Sequence, residues 1–230
     1  MVYTGVGVPV NVYVDGFNLY NGMFKKARVQ ADAKWLDLGA VALRVWPALA
    51  PINKVRYFTA RVKPIPQDPL IVDRQDIYLR ALAARGVDVH LGQFKPRTKK
   101  WFLDAVAGTI PRTMGATIVD LVALISKYEE KGSDVNLGAY LVRDAALKNC
   151  DSAIVISNDS DLAEAIRIAT TDFGVPVYII NPHPNRACAE LRAVGADVRE
   201  LIPATVLKSM LPPVVVDAGG KSLTKPPAWT

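Results

Sequence analysis

Short apolar runs alternate with amphipathic helical patterns along most of the chain, and this alternation is the feature that most constrains its fold. The apolar runs are rich in β-branched residues, which favour extended backbone. They predict strands over residues 8–15, 54–62, 87–94, 153–157, 176–180 and 197–201. Strands separated by helices in this way are typical of a parallel sheet covered by helices. We therefore predict a three-layer α/β/α sandwich with a central, mainly parallel sheet of Rossmann-like topology.

The length and apolar content of the chain fit one large domain. Of its 230 residues, 50% are hydrophobic, which is enough to fill a sizeable core. We assign residues 1–203 to an α/β domain and residues 204–230 to a C-terminal extension. No stretch approaches the roughly 18 uninterrupted apolar residues of a membrane span, and the N-terminus lacks the basic region of a signal peptide. A cytoplasmic protein without a membrane partner is expected, and homo-oligomerisation is left open.

The cysteine and histidine content limits the kind of metal the chain can bind. It has two cysteines, Cys150 and Cys188, and two histidines, His90 and His183. This set nearly excludes a zinc finger, a disulfide framework or another His/Cys metal site. A metal would therefore be held by carboxylates, which favour hard ions such as Mg²⁺ or Mn²⁺. The formal net charge of +6 weakly indicates an anionic partner.

Acidic residues stand where predicted strands end. Asp15 ends the first strand, Asp159 and Asp161 follow the fourth, and Asp134 begins a predicted helix over residues 134–147. In an open parallel sheet, ligands bind beyond the carboxyl ends of the strands, which lie at one edge. Carboxylates gathered there repel one another unless a cation neutralises them. The pattern therefore predicts a divalent-metal site at this edge.

Each of these acids also has a purely structural interpretation. Asp15 precedes a glycine, and Asp-Gly is a common turn dipeptide. Asp134, and one of Asp159 and Asp161, stand where a carboxylate caps the N-terminus of a helix. The residues alone leave both interpretations open.

Three segments together are similar to the motifs of a known family. They read VYVDGFNLYNG, EEKGSDVNLGAYLVRDA and DSAIVISNDSDLAEAIRIA, and they resemble the NYN domain family, a LabA-like branch of the PIN-like nuclease superfamily. Their order and spacing match over residues 8–201. The resemblance implies a PIN-like sandwich, acidic residues that hold Mg²⁺ or Mn²⁺, and ribonuclease activity. The family's functional positions fall on Asp15, Asn18, Asp134, Asp159 and Asp161.

The resemblance also implies roles for these positions. Asp15, Asp134 and Asp159 would bind the metal directly or through water. Asp161 would support these ligands or the waters of the metal. We further predict that Asn18 and Ser157 contact phosphate or water.

A basic stretch predicts the substrate. The sequence FKPRTKKWF at residues 94–102 interleaves cations with aromatic rings, which suits single-stranded nucleic acid because cations follow phosphates and rings stack on bases. The predicted RNA-binding residues are Lys95, Arg97, Lys99, Lys100, Trp101 and Arg112. The alternative is a solvated loop whose aromatic residues anchor it to the core, which we prefer for Phe94 and Phe102. The main prediction is thus a metal-dependent endoribonuclease acting on single-stranded or structured RNA.

Two other functions stay open. Asn158 stands where many relatives have glycine, and Tyr140 replaces an acidic residue common in the helix after the second motif. These departures permit a non-catalytic nucleic-acid-binding or regulatory module on the same fold. A third hypothesis is an NADH-dependent oxidoreductase, because the segment TGVGVP contains two glycines. They precede the first strand, however, whereas the dinucleotide fingerprint follows it.

Overall fold

The structure is a computed structural model, and it describes residues 9–229 except 26–28, 50, 65, 103–121, 187 and 196. Over residues 97–102 and 122–129 the description covers the backbone only. Seven strands form a central sheet in the order β4-β3-β2-β1-β5-β6-β7, and every neighbouring pair is parallel except β3 and β4. These strands are β1 Val10–Asp15, β2 Ile52–Ala60, β3 Val87–Phe102, β4 Val122–Lys131, β5 Ser152–Ile156, β6 Val177–Asn181 and β7 Asp197–Glu200.

Helices cover both faces of this sheet. They are α1 Gly16–Met23, α2 Leu38–Val45, α3 Ile71–Ala84, α4 Ser133–Ala146, α5 Ala163–Arg167, α6 Ala189–Val194 and α7 Pro203–Leu207. The first face packs against α1, α2, α3 and α7, and the second face packs against α4, α5 and α6. The predicted three-layer α/β/α sandwich is therefore confirmed.

Strand β1 contributes side chains to the hydrophobic cores on both faces of the sheet. Its side chains alternate between faces, so Val12 and Val14 lie in the core of the first face and Tyr13 lies in that of the second. It pairs with β2 on one side and with β5 on the other. Asp15, its last residue, thus lies in the middle of the edge formed by the carboxyl ends of the parallel strands.

The structure corrects the prediction for residues 94–102, because they form a strand and not a loop. Strand β3 continues to Phe102 and pairs antiparallel with β4, from Gln93 opposite Lys131 to Phe102 opposite Val122. The pairing of β3 with β2 ends at Gly92, so among the described residues the outer part of β3 pairs on one side only. A free edge tolerates the missing N–H of Pro96. We call residues 93–102 and 122–131 the β3–β4 arm.

The segment after residue 203 packs on the first face. It contains α7 and an antiparallel hairpin of β8 Val214–Val216 and β9 Ser222–Thr224. Val215 and Leu223 are buried in the core of that face, and Trp35 Nε1 donates a hydrogen bond to the Pro212 carbonyl oxygen at 2.7 Å. Among the described residues, no helix has the length and apolar character needed to cross a lipid bilayer.

Candidate metal centre

Three carboxylates meet at the carboxyl edge of the sheet. Asp15 ends β1, Asp159 follows β5, and Asp134 lies in the first turn of α4. One ligand oxygen from each lies within 4.8 Å of the others. Oxygens around a Mg²⁺ ion at about 2.1 Å are about 3 Å apart when adjacent and about 4.2 Å apart when opposite. The spacing within this group, which we call the acidic cluster, is therefore close to that of the ligands of a hard divalent cation.

Asp15 is held rigidly at the centre of the cluster. Its Oδ1 accepts a hydrogen bond from the Asn18 backbone N–H at 2.9 Å and caps α1. Its Oδ2 accepts one from Ser157 Oγ, also at 2.9 Å. The residue is 2% exposed. Asp15 and Gly16 therefore do not form a turn, because α1 begins at Gly16; the Asp15 side chain caps this helix and also belongs to the cluster.

The loop after β5 is folded around the same groups. The Asp159 N–H donates to Ser157 Oγ at 3.1 Å, so this hydroxyl links two acids of the cluster. Asn18 Oδ1 accepts the Asn158 N–H at 2.9 Å and ties the loop to α1. Asn18 and Ser157, predicted to contact phosphate or water, therefore position the acidic residues through direct hydrogen bonds.

Asp161 and Glu130 flank the cluster. Asp161 is exposed and stands outside the group of three, and its backbone N–H donates to Asp159 Oδ1 at 3.1 Å. Glu130 Oε1 accepts the Ser133 N–H at 3.0 Å at the start of α4. The sequence interpretation did not include Glu130 in the site. Its position three residues before the first residue of α4 was the available signal, because an acid there reaches a free N–H of the first turn.

Two acids of the cluster, Asp15 and Asp134, have raised pKa values. Burial, followed by the charge of Asp134, raises the pKa of Asp15 to about 7, although the Asn18 N–H partly opposes this rise. Burial raises the pKa of Asp134 to about 6, and the charges of Asp159, Glu130 and Asp161 add to it. A cation would relieve this repulsion, so the site favours exchange of its protons for a metal.

The side chain of Asn158 bonds to the segment before α6. Its Nδ2 donates to the Arg186 carbonyl oxygen at 2.6 Å, and its Oδ1 accepts the Cys188 N–H at 2.9 Å. The side chain therefore joins the loop after β5 to the segment before α6. It stabilises the loop that carries Asp159.

Tyr140, the second departure, lies against other groups than the acidic cluster. Its ring centre is 4.2 Å from that of His90 and 5.9 Å from that of Phe58. The Arg56 guanidinium carbon lies 4.7 Å from the Tyr140 ring centre. Tyr140 thus shields Arg56 on the second face, where an acidic residue would instead meet a guanidinium.

A second buried carboxylate, Asp144, has its charge balanced by Arg56 and by hydrogen bonds. Arg56 donates to it from Nε at 3.0 Å and from Nη2 at 3.2 Å, and Tyr13 Oη donates at 2.8 Å. Asn11 Nδ2 lies 3.3 Å from Asp144 Oδ2. Burial opposes ionisation of Asp144, but the Tyr13 hydrogen bond and the Arg56 charge outweigh it and lower its pKa. We call these four residues the Arg56–Asp144 network.

Five of the six predicted RNA-binding residues lie on the β3–β4 arm. Lys95 is exposed, and the backbones of Arg97, Lys99, Lys100 and Trp101 belong to the strand. Their positions stand opposite residues 127, 125, 124 and 123. Arg112 lies outside the described residues.

The base of the arm adjoins the acidic cluster. Phe94 stands opposite Glu130, whose charge acts on Asp134. The Phe94 ring packs edge-on against Phe17 of α1, with ring centres 5.7 Å apart and an interplanar angle of 89°. Phe94 therefore anchors the arm to the helix that begins at the cluster, as the structural alternative for this aromatic residue predicts.

Comparisons with known proteins give one similar sequence of named function. No profile of a known protein family matches the chain. The chain is 27% identical to the 6-hydroxy-3-succinoylpyridine 3-monooxygenase HspA of Pseudomonas putida (strain DSM 28022 / S16), over 95% of this chain and 74% of that protein. It is also similar to a solved protein of unknown function from Vibrio parahaemolyticus RIMD 2210633, with 15% identity and a TM-score of 0.49. That match covers 87% of this chain and 96% of the other.

Proposed function

We propose that the protein is a divalent-metal-dependent ribonuclease that uses Mg²⁺ or Mn²⁺ to hydrolyse phosphodiester bonds in RNA. The observation that carries the proposal is the acidic cluster, whose three ligand oxygens lie within 4.8 Å of one another at the carboxyl edge of the sheet. Hard oxygen donors in this number suit these ions, which bind through a few carboxylates and keep sites for phosphate and water. A cytoplasmic location is part of the same proposal.

Each residue of the site has a task in this reaction. Asp15, Asp134 and Asp159 would hold the cation, which when bound polarises the scissile phosphate and lowers the pKa of attacking water. Ser157 and Asn18 keep Asp15 and Asp159 in place through the hydrogen bonds described above. In-line attack of water on phosphorus would leave a 5′-phosphate and a 3′-hydroxyl.

The metal part of the proposal is tested by calorimetric titration of the purified protein with Mn²⁺, beside Asp15→Asn and the exposed control Asp73→Asn. We expect binding by the parent and by Asp73→Asn and none by Asp15→Asn. Cleavage of end-labelled single-stranded RNA should require Mn²⁺ and should disappear in Asp15→Asn. An unchanged cleavage rate in that variant would remove the acidic cluster from the reaction.

The arm is the proposed track for the RNA backbone, because its base adjoins the acidic cluster. Changing Lys99 and Lys100 to Ala should weaken binding of every RNA sequence. Each lost phosphate contact lowers the slope of log affinity against log salt by about 0.7, so the double variant should lower it by about 1.4. The same slope in parent and variant would place the RNA elsewhere.

The non-catalytic alternative predicts a different pair of results. A binding module would keep its RNA affinity in EDTA and would show no turnover with Mn²⁺. The departure at Tyr140 does not favour this alternative, because its ring lies over Arg56 and not in the acidic cluster.

Oxidoreductase chemistry is the second candidate, and the similarity to a protein named as a monooxygenase favours it. The glycines of TGVGVP lie outside the described residues, so the dinucleotide hypothesis rests on the sequence alone. Hydroxylation of an aromatic ring by O₂ takes two electrons from a donor such as NADH and releases water. Oxygen consumption with NADH and 6-hydroxy-3-succinoylpyridine tests this candidate, and the absence of consumption would contradict it.

A further inference from the structure

A cavity of about 390 Å³ lies on the first face of the sheet, and its lining does not include Asp15, Asp134 or Asp159. Helix α1, helix α3 and the end of β2 surround it, and the turn at Trp229 contributes to its wall. Cavities of this size accommodate small organic molecules. None of the functions discussed above assigns a ligand to it.

Aromatic rings form much of the cavity wall. The rings of Tyr57 and Tyr78 meet edge-on at 6.3 Å, and Trp229 lies 6.0 Å from Tyr78. Tyr20 and Phe24 of the α1 end lie 6.1 Å apart on another part of the wall, and Tyr20 is 42% exposed. Such walls favour a flat ring, which gains stacking and edge contacts that an aliphatic chain does not.

The charges in the cavity are mainly positive. Lys25, Lys34 and Arg74 line it, against the single carboxylate of Asp68, which pairs with Arg74. The Lys34 ammonium lies 5.6 Å from the centre of the Tyr20 ring. Among the described residues, no carboxylate forms an ion pair with Lys34, and the buried Nε of Arg74 has no hydrogen-bond partner. These two cations can therefore accept an anionic group.

The same cations disfavour one another without a ligand. Burial lowers the pKa of Lys34 and the charge of Arg74 lowers it further, while the charge of Asp68 opposes part of this shift. An anion between them would reverse both effects, since it replaces lost hydration and separates like charges.

The wall is already fixed in this shape. Gln75 of α3 accepts the Val62 N–H and donates to the Ala60 carbonyl oxygen, both at 2.9 Å, which ties α3 to the end of β2. Tyr78 Oη donates to the Leu36 carbonyl oxygen at 2.9 Å. A preformed cavity loses less entropy when a ligand binds.

We infer that this cavity is a binding site for a planar aromatic molecule that carries an anionic group, with the ring among Tyr20, Tyr57 and Trp229 and the anion at Lys34 and Arg74. Two sources share this chemistry, namely a free aromatic acid and a nucleoside monophosphate. The cavity also adjoins the metal centre through the backbone, because a Cβ on Gly16, the residue after Asp15, would lie 2.7 Å from the Tyr57 ring.

The test is calorimetric titration in EDTA, which keeps the metal centre out of the measurement. The probes are 6-hydroxy-3-succinoylpyridine and uridine 5′-monophosphate, each beside a neutral ring, 3-acetylpyridine and uridine. We expect at least one charged probe to bind about tenfold more tightly than its neutral counterpart, which corresponds to one charge-assisted contact. Binding of the pyridine acid, of the nucleotide, or of both supports the site and identifies the source.

Variants locate the binding. Lys34→Gln and Arg74→Gln should each weaken the charged probe about tenfold, whereas the exposed control Lys54→Gln should leave its affinity unchanged. Because Arg74→Gln also breaks the pair with Asp68, Lys34→Gln decides the outcome if Arg74→Gln does not fold. Absence of binding by both charged probes at about 1 mM, or equal affinity in Lys34→Gln and the parent, overturns the inference.

Discussion

Asp15 and Asp144 are both buried carboxylates on the second face of the sheet, but their surroundings are opposite. Asp144 is fully buried and is bonded to Arg56 and Tyr13, which hold its pKa below the ordinary value. Asp15 is 2% exposed and lies among other acids, and its pKa is raised to about 7. Strand β1 contributes to both surroundings. Asn11 and Tyr13 bond to Asp144, and Asp15 lies two residues after Tyr13, on the same face of the strand.

The comparison distinguishes a carboxylate that stabilises the fold, Asp144, from one that is available to bind a cation, Asp15. A buried acid with a cation and hydrogen bonds stabilises its neighbours once they are all present, and it has no capacity left for a ligand. A buried acid surrounded by acids costs stability and gains from any cation that arrives. Burial alone therefore does not indicate a functional site, whereas burial without compensation does.

Removal of the cation from the compensated acid should give the largest effect. Arg56→Met leaves Asp144 buried and unpaired, so we expect it to lower the free energy of unfolding by about 3–5 kcal/mol. Urea denaturation followed by circular dichroism measures the change. The control is Arg61→Met, because Arg61 pairs with Asp76 at a site where its side chain is 56% exposed. That loss should stay below about 1 kcal/mol, and equal losses in the two variants would contradict the comparison.

The uncompensated acids should make metal-free stability fall as the pH rises. The folded-state pKa values of Asp15 and Asp134 are about 7 and about 6, above the ordinary value of 3.8. Between about pH 4 and about pH 7 the unfolded chain therefore binds fewer protons than the folded protein. The free energy of unfolding declines over this range by on the order of 3 kcal/mol. Asp144 has the opposite effect. Because its pKa is lowered in the folded protein, the stability that its ionised form contributes is lost as the pH falls below the ordinary value. Urea midpoints at pH 5 and pH 8 in EDTA test this, and a higher midpoint at pH 8 would contradict it.

Asp15→Asn should remove much of that decline. At pH 8 the amide avoids the cost of a buried charge, so we expect a stability gain of about 2 kcal/mol over the parent in EDTA, and roughly a third of that gain at pH 5. Mn²⁺ should stabilise the parent and not the variant. Asp73→Asn serves as the exposed control. A variant less stable than the parent at pH 8 would show that the Ser157 and Asn18 hydrogen bonds already compensate Asp15.

Tyr13→Phe should give the smallest of these effects. It removes one hydrogen bond of 2.8 Å to the charged Asp144 and leaves Arg56 in place. Loss of such a bond typically costs about 1.5–2 kcal/mol. Thermal unfolding of this variant beside Tyr20→Phe, which changes an exposed ring, measures it. An equal effect in both variants would mean that Arg56 alone compensates Asp144.

The acidic cluster could be predicted from the sequence because it depends on the residues that end each strand and on the parallel order of the strands. Each strand that ends in an acid is visible in the residues, and the parallel order of the sheet brings such ends to one edge. Asp15 and Asp159 follow this reasoning directly, while Asp134 needed the start of a helix as well. The three-layer sandwich could be predicted as well, because the hydrophobic periodicity that separates strands from helices is also a local pattern.

Features that depend on distant partners could not be anticipated. Residues 94–102 contain a proline and several cations, so the local pattern indicates a loop, but β4 supplies the hydrogen bonds that make them a strand. The pairing of Asp144 with Arg56 joins residues 88 positions apart. The cavity on the first face combines α1, α3 and Trp229, and no periodicity relates these segments.

The central place of β1 also has a consequence for the folding pathway. Both strands that flank it, β2 and β5, come later in the chain, and the Ser157 hydroxyl that bonds to Asp15 is 142 residues away. Such long-range pairings have a high contact order, and the entropy of closing the intervening loops delays their formation. We therefore expect the group of acids to come together late in folding, after the pairings of β1 with β2 and β5, so that its electrostatic cost falls on a sheet that is already formed.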